Sequence, residues 1–366
     1  MQEGPSLRIV VVGGSLSGLS AGIALARAGH EVRVLERAIA QPGGAGLGVD
    51  LALLQEITGA DAGTLPVVRG NRYSSSWYLV RQWLRDVASQ TPGLDILEGV
   101  EATSFTVNGV TVVVQTTELP QEADMLVGAD GYKSRVRAFV DPKHHDAMYA
   151  GYMLWRGMCG EEQMPSTTPW PDGYVDVHTT QRYRLVAYAV PGPDGSLDPG
   201  RRQISWAWYD PDRRGFLEDR DCLAGDRVIG TLSGDGFGQA LISELVSKAE
   251  RLWPSPWREA IETTLRNGEP FATPVAEYVP NRLASNRALI VGDAAHVASP
   301  MTGSGFRYAL LDVLAICRAL RANPDVAMAL RAFEQERLED DRQLVLAGHA
   351  WGQRYLTSDD SRYSQM

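Results

Sequence analysis

Apolar and polar positions along this chain follow two regimes. Residues 7–12 (Leu-Arg-Ile-Val-Val-Val) are a short β-branched apolar run, the pattern of a strand buried on both faces of a parallel sheet. An Ala- and Leu-rich helical stretch over 19–28 follows, stopped by Gly29-His30, and residues 31–36 (Glu-Val-Arg-Val-Leu-Glu) return to strand. The pattern then predicts helices over 51–57 and 78–88 and strands over 110–115 and 125–127. From about residue 149 to 210 aromatic positions alternate in strands over 183–190 and 203–209, broken by turns such as Pro191-Gly192-Pro193-Asp194-Gly195. This second regime predicts a largely antiparallel sheet inserted into an α/β domain. Residues 211–265 are mixed and mostly helical. A buried strand over 288–291, a long helix over 305–320 and a charged amphipathic helix over 330–354 complete the chain.

Between the first strand and helix lies Gly13-Gly14-Ser15-Leu16-Ser17-Gly18, with Glu36 eighteen residues after Gly18. A strand–glycine turn–helix of this kind gives a tight turn, close backbone approach to a pyrophosphate, and a helix N-terminus aimed at negative charge. Ser15 stands at the second glycine position, where its hydroxyl can bond the phosphate. Glu36 can accept both hydroxyls of an adenosine ribose and repels a 2′-phosphate, which favours FAD or NAD over NADP. The later run Leu289-Ile290-Val291-Gly292-Asp293 ends an apolar strand on Asp293, suited to a ribityl hydroxyl; a plain helix N-cap is the alternative reading. Gly303-Ser304-Gly305 at a helix start can present N–H groups to the electron-rich edge of an isoalloxazine ring.

Charge and cysteine content narrow the class. A net charge of −10 on 366 residues argues against nucleic acid and anionic membranes as partners. Cys159, Cys222 and Cys317 are odd in number and widely spaced, without a disulfide framework or a metal pattern. With no signal-peptide core and no apolar stretch of about 20 residues, the expected location is the reducing cytoplasm. No metal site is expected; His144-His145 reads as a loop pair, and His178 as a strand or surface histidine.

Three segments together resemble the class A flavoprotein aromatic hydroxylases, the p-hydroxybenzoate hydroxylase-like family. They are the Gly13 to Gly18 turn, Gly128-Ala129-Asp130-Gly131-Tyr132-Lys133-Ser134-Arg135-Val136-Arg137, and Gly292-Asp293 followed by His296, Pro300, Gly303, Gly305, Ala309 and Asp312. The likeness runs nearly end to end. Gly13-Gly14-Ser15, Tyr149-Ala150-Gly151-Tyr152 through Trp155-Arg156-Gly157, and the 186–192 stretch are similar to its dihydroxypyridine hydroxylase branch. The resemblance implies an α/β fold: a Rossmann-like FAD-binding domain (1–148 and 271–325), an inserted, mainly antiparallel substrate domain (149–270) and a C-terminal helical segment (326–366). It implies a cofactor-binding set of Gly13, Gly14, Ser15, Ser17, Gly18, Glu36, Arg37, Gly46, Leu47, Arg81, Val100, Asp130, Asp293, Pro300, Gly303 and Gly305. Within that set Arg81 is the flavin-contacting arginine and Val100 an adenine neighbour. His296 is the family's motif histidine, a local structural element.

The implied activity is hydroxylation of a small aromatic or N-heteroaromatic ring with O2, through a flavin 4a-hydroperoxide and with NADH or NADPH as a transient reductant, by a monomer or homodimer. No second nucleotide-binding βαβ unit is visible for the nicotinamide. Tyr188 and Tyr209 are candidates to hydrogen-bond a substrate hydroxyl, and Trp206 and Trp208 to cover its face, with core packing of the sheet the favoured reading for each residue singly. Arg156 and Arg307 are candidates for an anionic substrate, with a structural ion pair the alternative for Arg156; Arg307, which follows the Gly303-Ser304-Gly305 loop, is a candidate to touch either substrate or flavin. Arg307 stands where the family has Asn, and the stretch between Gly48 and Tyr78 is short; both departures bear on the substrate. A reductase or dehydrogenase on the same scaffold, or an epoxidase or Baeyer–Villiger enzyme, are the alternative activities.

Overall fold

The fold is seen in a computed structural model that describes residues 6–39, 44–165, 170, 175–180, 182–211, 213–267 and 270–357. The apolar run becomes the strand Arg8–Val12, at the centre of a six-stranded sheet. It is flanked on one side by Glu31–Glu36 and Leu94–Glu98, and on the other by Met125–Gly128 and Ala288–Ile290. These five strands run parallel, and Ala284–Ser285 closes the edge antiparallel. Because both faces of the sheet are covered, Ile9, Val11, Val34, Leu126, Val127 and Leu289 are all buried. Leu16–Arg27 packs on this sheet and is gripped in turn by Trp77–Ser89 and Gly305–Ala322.

The second sheet is antiparallel throughout its named pairs. Its order runs Asp176–Thr180, Tyr183–Val190, Gln203–Asp210 and Met148–Gly160, and Phe271–Glu277 pairs with the far side of Met148–Gly160. The boundary expected at 271 therefore falls at the start of a strand of this second sheet, and the return to the first sheet comes at 284. Two three-stranded sheets also lie outside the sequence expectation, apart from their strand Thr111–Thr116. One joins Gly46–Val49, Tyr73–Ser76 and Val68–Arg69, and the other Ala102–Asn108, Thr111–Thr116 and Gln121–Ala123. Their strands are short and half-exposed, so their hydrophobic signal is weak. The C-terminal helix spans Val326–Thr357, longer than the apolar pattern alone marks. No helix among the described residues is long and apolar enough to cross a membrane.

The period of two in Gln203–Asp210 separates two chemistries. Ile204, Trp206 and Trp208 join Leu185, Ala187, Met153 and Trp155 in a core against the helices Gln239–Leu252 and Trp257–Asn267. The Trp206 indole donates to Thr264 Oγ1 at 2.9 Å, and Trp208 meets Trp253 edge-on at 5.8 Å. The favoured core-packing reading fits these two indoles, which anchor the back of the sheet. His178 lies on the same side, 4.2 Å from the Trp257 ring centroid. Cys159 and Cys222 are buried and Cys317 partly so, all as free thiols; burial pushes the Cys159 pKa up to about 12 and that of Cys317 to about 11.

The turn after the first strand depends on two glycines. Gly13 has φ of +106°, and a Cβ there would sit 2.3 Å from the Ala129 carbonyl oxygen. A Cβ at Gly18 would lie 1.8 Å from the carbonyl oxygen of Gly13. Gly18→Ala is expected to lower stability by about 2 kcal/mol through forced separation of strand and helix. A urea midpoint equal to that of the native chain would refute this account.

Candidate active site

Two cavities meet at the start of the helix Gly305–Ala322. The first, about 440 Å³, runs from Glu36 and Val100 past Gly13, Ser15 and Ser17 to Asp293. The second, about 530 Å³, lies under the antiparallel sheet and is bordered by Arg156, Arg184, Tyr188, Ser205 and Tyr209. Leu47, Gly305 and Phe306 line both, so the two spaces adjoin around these residues.

In the first cavity the helix N-cap Ser15 makes no side-chain capping bond, leaving its hydroxyl and the first-turn N–H groups for a ligand. Glu36 ends its strand beside the turn; its Oε2 accepts from Gly14 N–H at 2.7 Å and its Oε1 from Ala38 N–H at 2.8 Å. Each oxygen retains a lone pair for a ribose hydroxyl. Asp293 faces the cavity with no described residue donating a hydrogen bond to its carboxylate. Burial raises its pKa, with His296, Arg137 and Arg156 pulling the other way. Arg37, Lys133 and Arg135 add positive charge to the wall. An elongated groove with a free helix N-terminus near its middle and a carboxylate toward each end fits a dinucleotide.

Several expected contacts have another job. Arg81 does not line either cavity: buried behind the turn, it donates from Nε to the Gly14 carbonyl at 3.2 Å and pairs with Glu98 at 3.6 Å. Gly14 and Gly18 likewise shape the turn from behind, Gly14 through its bond to Glu36 and Gly18 through its contact with Gly13. Asp130 borders the cavity, but its carboxylate caps the helix Arg135–Val140, taking the Ser134 hydroxyl, Arg135 N–H at 2.7 Å and Val136 N–H at 3.2 Å. Arg307, expected at flavin or substrate, borders neither cavity. Its half-exposed side chain turns outward to Asp50, with Nε 3.3 Å from Oδ2. Arg37, Leu47 and Val100 do line the first cavity, Gly46, Pro300 and Gly303 the second, and Gly305 both. Gly46 N–H donates to Ser205 Oγ at 3.0 Å, joining the loop to the antiparallel sheet.

Tyr188 and Tyr209 face the second cavity from adjacent strands. Burial raises both pKa values, that of Tyr188 to about 12 against the pull of Ser205 and Arg156, so both hydroxyls are proton donors at neutral pH. Phe306 and Trp77, which the sequence reading did not single out, complete the walls; a Phe after Gly303-Ser304-Gly305 was the available signal.

A buried ion cluster backs the Asp293 loop. Asp312 accepts from Gly292 N–H at 3.0 Å and His296 Nε2 at 2.9 Å, and Arg337 Nε lies 2.9 Å from its other oxygen while NH2 pairs with Asp341. His296, Asp312 and Asp341 bring ligand atoms within 4.8 Å of one another, but the Arg337 guanidinium bonds both carboxylates, so cationic charge already occupies this donor set. Arg137 is the positioning residue that sequence reasoning left without a role. Its buried guanidinium donates to the carbonyls of His145 (2.8 Å), Asp293 and Ala294 (3.2 Å each) and Tyr132.

Residues 258–345 match the family described as FAD binding domain, and residues 149–277 one described as FAD binding domain-like. The fold and groove thus define a flavin-dependent protein of the two-sheet hydroxylase architecture. The 2,6-dihydroxypyridine 3-monooxygenase of Paenarthrobacter nicotinovorans is 28% identical over 94% of this chain and 88% of its own. The aurachin C monooxygenase/isomerase of Stigmatella aurantiaca is 27% identical over 95% and 89%. The solved structure of 2,6-dihydroxypyridine-3-hydroxylase from Arthrobacter nicotinovorans superposes with a TM-score of 0.81 at 22% identity, covering 99% of this chain and 96% of its own. Klebsiella pneumoniae HpxO, complexed with FAD and uric acid, gives 0.73 at 19%, covering 96% and 90%. Along nearly its whole length the chain is similar to flavin-dependent hydroxylases of the group A type.

Arg307→Ala is expected to change stability by less than about 1 kcal/mol, because it breaks one exposed ion pair. Retained flavin should match that of the native protein, and loss of flavin in this variant would return Arg307 to the site. A second expectation concerns pH. Burial alone would lower the His296 pKa, but Asp312, Asp341 and Asp293 outweigh it and lift it to about 9. A folded value above the unfolded 6.5 means this stabilisation is complete below about pH 6.5 and lost as pH rises through about 9. The melting temperature should fall over that window in the native chain and be flatter in His296→Gln; an equally steep fall in the variant would assign it to another group.

Proposed function

We propose that this protein is an FAD-dependent monooxygenase that hydroxylates a small aromatic or N-heteroaromatic ring, with NADH or NADPH as reductant. The observation that carries the reading is the meeting of a dinucleotide-shaped groove with an aromatic- and arginine-lined chamber at Leu47, Gly305 and Phe306. When bound, FAD supplies the redox chemistry, taking electrons from the nicotinamide and activating O2. The chain supplies the rest. The N–H groups and hydroxyl at the Ser15 helix start receive the pyrophosphate, and Glu36 takes the adenosine ribose. Asp293 accepts from a ribityl hydroxyl, while Pro300, Gly303 and Gly305 bring backbone to the ring end. Tyr188 and Tyr209, held neutral by burial, donate hydrogen bonds that orient a ring in the second cavity. The apolar side chains of Leu154, Val186 and Phe306 reduce the access of water to the reacting atoms. A substrate hydroxylated in the same ring, as the names of the dihydroxypyridine and urate relatives indicate for those proteins, suits this lining.

The purified protein should be yellow, with flavin bands near roughly 375 and 450 nm that are released as FAD on heating. Asp293→Ala should retain FAD about 10- to 100-fold more weakly, the loss expected for a buried charge-assisted hydrogen bond. An aromatic substrate should accelerate NAD(P)H oxidation with matching O2 uptake and appear as a hydroxylated product. Flavin that is reduced with no aromatic-dependent oxygen uptake and no hydroxylated product would overturn the monooxygenase reading.

A further inference from the structure

Resting on that reading, we propose that the far end of the helix Val326–Thr357 sets how a substrate ring stands against the flavin, with Tyr152 and Tyr355 as the positioning residues. The helix is tied to both halves of the site. In its first half Glu334 accepts from the Leu283 and Ala284 N–H groups at 2.7 and 2.8 Å, and Arg337 pairs with Asp312 behind the Asp293 loop. About 27 Å further along, at roughly 1.5 Å per residue, its end reaches the antiparallel sheet. There the Tyr355 hydroxyl donates to the Tyr209 carbonyl at 2.9 Å.

A small cluster joins the three parts. Tyr152, Leu154, Tyr209 and Val275 from the sheet pack with Met301 from the loop at the ring end of the groove, and with Tyr355 and Leu356 from the helix. Leu154, Tyr209 and Met301 also line the second cavity, so the helix end backs part of its wall. The Tyr152 ring meets Tyr355 edge-on at 5.5 Å, and its hydroxyl shares a hydrogen bond of 2.6 Å with Ser299 Oγ. Ser299 Oγ in turn accepts from Met301 N–H at 3.2 Å, and the Ser299 carbonyl accepts from Thr302 N–H at 3.1 Å. One tyrosine thus holds the loop that carries Pro300, Met301 and Gly303 to the cavity. The other holds the strand that carries the Tyr209 hydroxyl.

Phenylalanine at 152 and 355 would fill the same space with no polar group to satisfy. A buried hydroxyl costs free energy unless it is bonded, and each of these bonds to a part of the site. Burial raises both pKa values, so both remain neutral hydroxyls at working pH. The close approach of the helix points the same way. Gly348 and Gly352 lie inside it, where glycine costs about 1 kcal/mol relative to alanine. A Cβ at Gly352 would stand 3.1 Å from Tyr152 Cε1, and one at Gly348 would stand 3.1 Å from Ser299 Cβ. Helix stability is given up at the two turns that touch Tyr152 and Ser299, and the axis lies close to both. Misplacement of about 1 Å between reacting groups costs on the order of 100-fold in rate, so an element that touches both the loop and the Tyr209 strand governs the outcome.

The test uses the full chain loaded with FAD, with flavin content measured in each sample. Phenol is the ring probe, its binding read from the change it makes in the flavin spectrum. Tyr152→Phe and Tyr355→Phe should each weaken phenol binding about 3- to 10-fold and alter the shape of the difference spectrum, with flavin content as in the native protein. Gly352→Ala keeps both hydroxyls but pushes on the Tyr152 ring, and it should alter the shape in the same sense. Hydrogen exchange separates this effect from general loosening. In Tyr152→Phe the Met301 and Thr302 amides should exchange about 5-fold faster or more, with Val10 and Val11 in the first strand unchanged. Gln353→Ala, exposed beside Gly352, should match the native protein in both measurements. Variants with native phenol spectra and native exchange at Met301 and Thr302, or faster exchange that spreads equally to Val10 and Val11, would overturn the proposal and leave the monooxygenase reading in place. A native protein that holds FAD yet gives no spectral response to phenol would overturn both.

Discussion

The buried guanidinium of Arg137 holds together parts of the chain that no sheet joins. Its carbonyl partners are Tyr132 in the turn after Met125–Gly128, His145 at the entry to the antiparallel sheet, and Asp293 and Ala294 after the returning strand. The Tyr278 ring covers it, with the guanidinium carbon 4.4 Å from the ring centroid. Four hydrogen bonds to carbonyls from three segments leave little freedom in how the two sheets face each other across the groove. Burial lowers the Arg137 pKa, yet an arginine stays charged, and the carbonyls of these bends supply the negative end that the missing carboxylate would have given. The Asp293 carboxylate is aimed into the groove because its own main chain is tied down from behind by Arg137 and by the Asp312 bond to Gly292.

The antiparallel sheet then divides the molecule into a back and a front. At the back, indoles and small side chains interlock with two helices and give the sheet stiffness through dispersion and area burial. At the front, arginines, tyrosines and Ser205 border a space that they do not fill. The same strand Gln203–Asp210 serves both purposes, so a change at Trp208 and a change at Tyr209 test different things although the residues are neighbours. The loop bond from Gly46 to Ser205 carries this front face to the cofactor groove.

Arginines were the residues hardest to assign from their order in the chain. Arg81 and Arg307 both sit beside motif residues, yet one braces the glycine turn from the rear and the other pairs with Asp50 in solvent. Arg137 closed a motif without any role being evident, and Arg184 drew no attention. A long flexible side chain reaches partners that lie roughly 6–7 Å from its Cα in any direction, so the position of its backbone says little about where its charge ends up. Gly13, Glu36 and Asp293 were legible for the opposite reason: a glycine or a short side chain acts close to its own main chain.

Local stereochemistry is what the amino-acid sequence determined by itself. The β-branched run, the turn that only Gly at 13 and 18 permits, the acid at the strand end and the Gly-Asp pair each follow from contacts within a few residues or one strand spacing. Period-two alternation likewise put Trp206 and Trp208 on one face of their strand and Tyr209 on the other. Which face would meet the helices and which the cavity, where Phe271–Glu277 would pair, and which arginines would be left without a counter-charge were decided only by the tertiary structure. Those outcomes depend on elements tens to hundreds of residues apart competing for the same surface, and burial and charge compensation are properties of that final packing rather than of any segment within it.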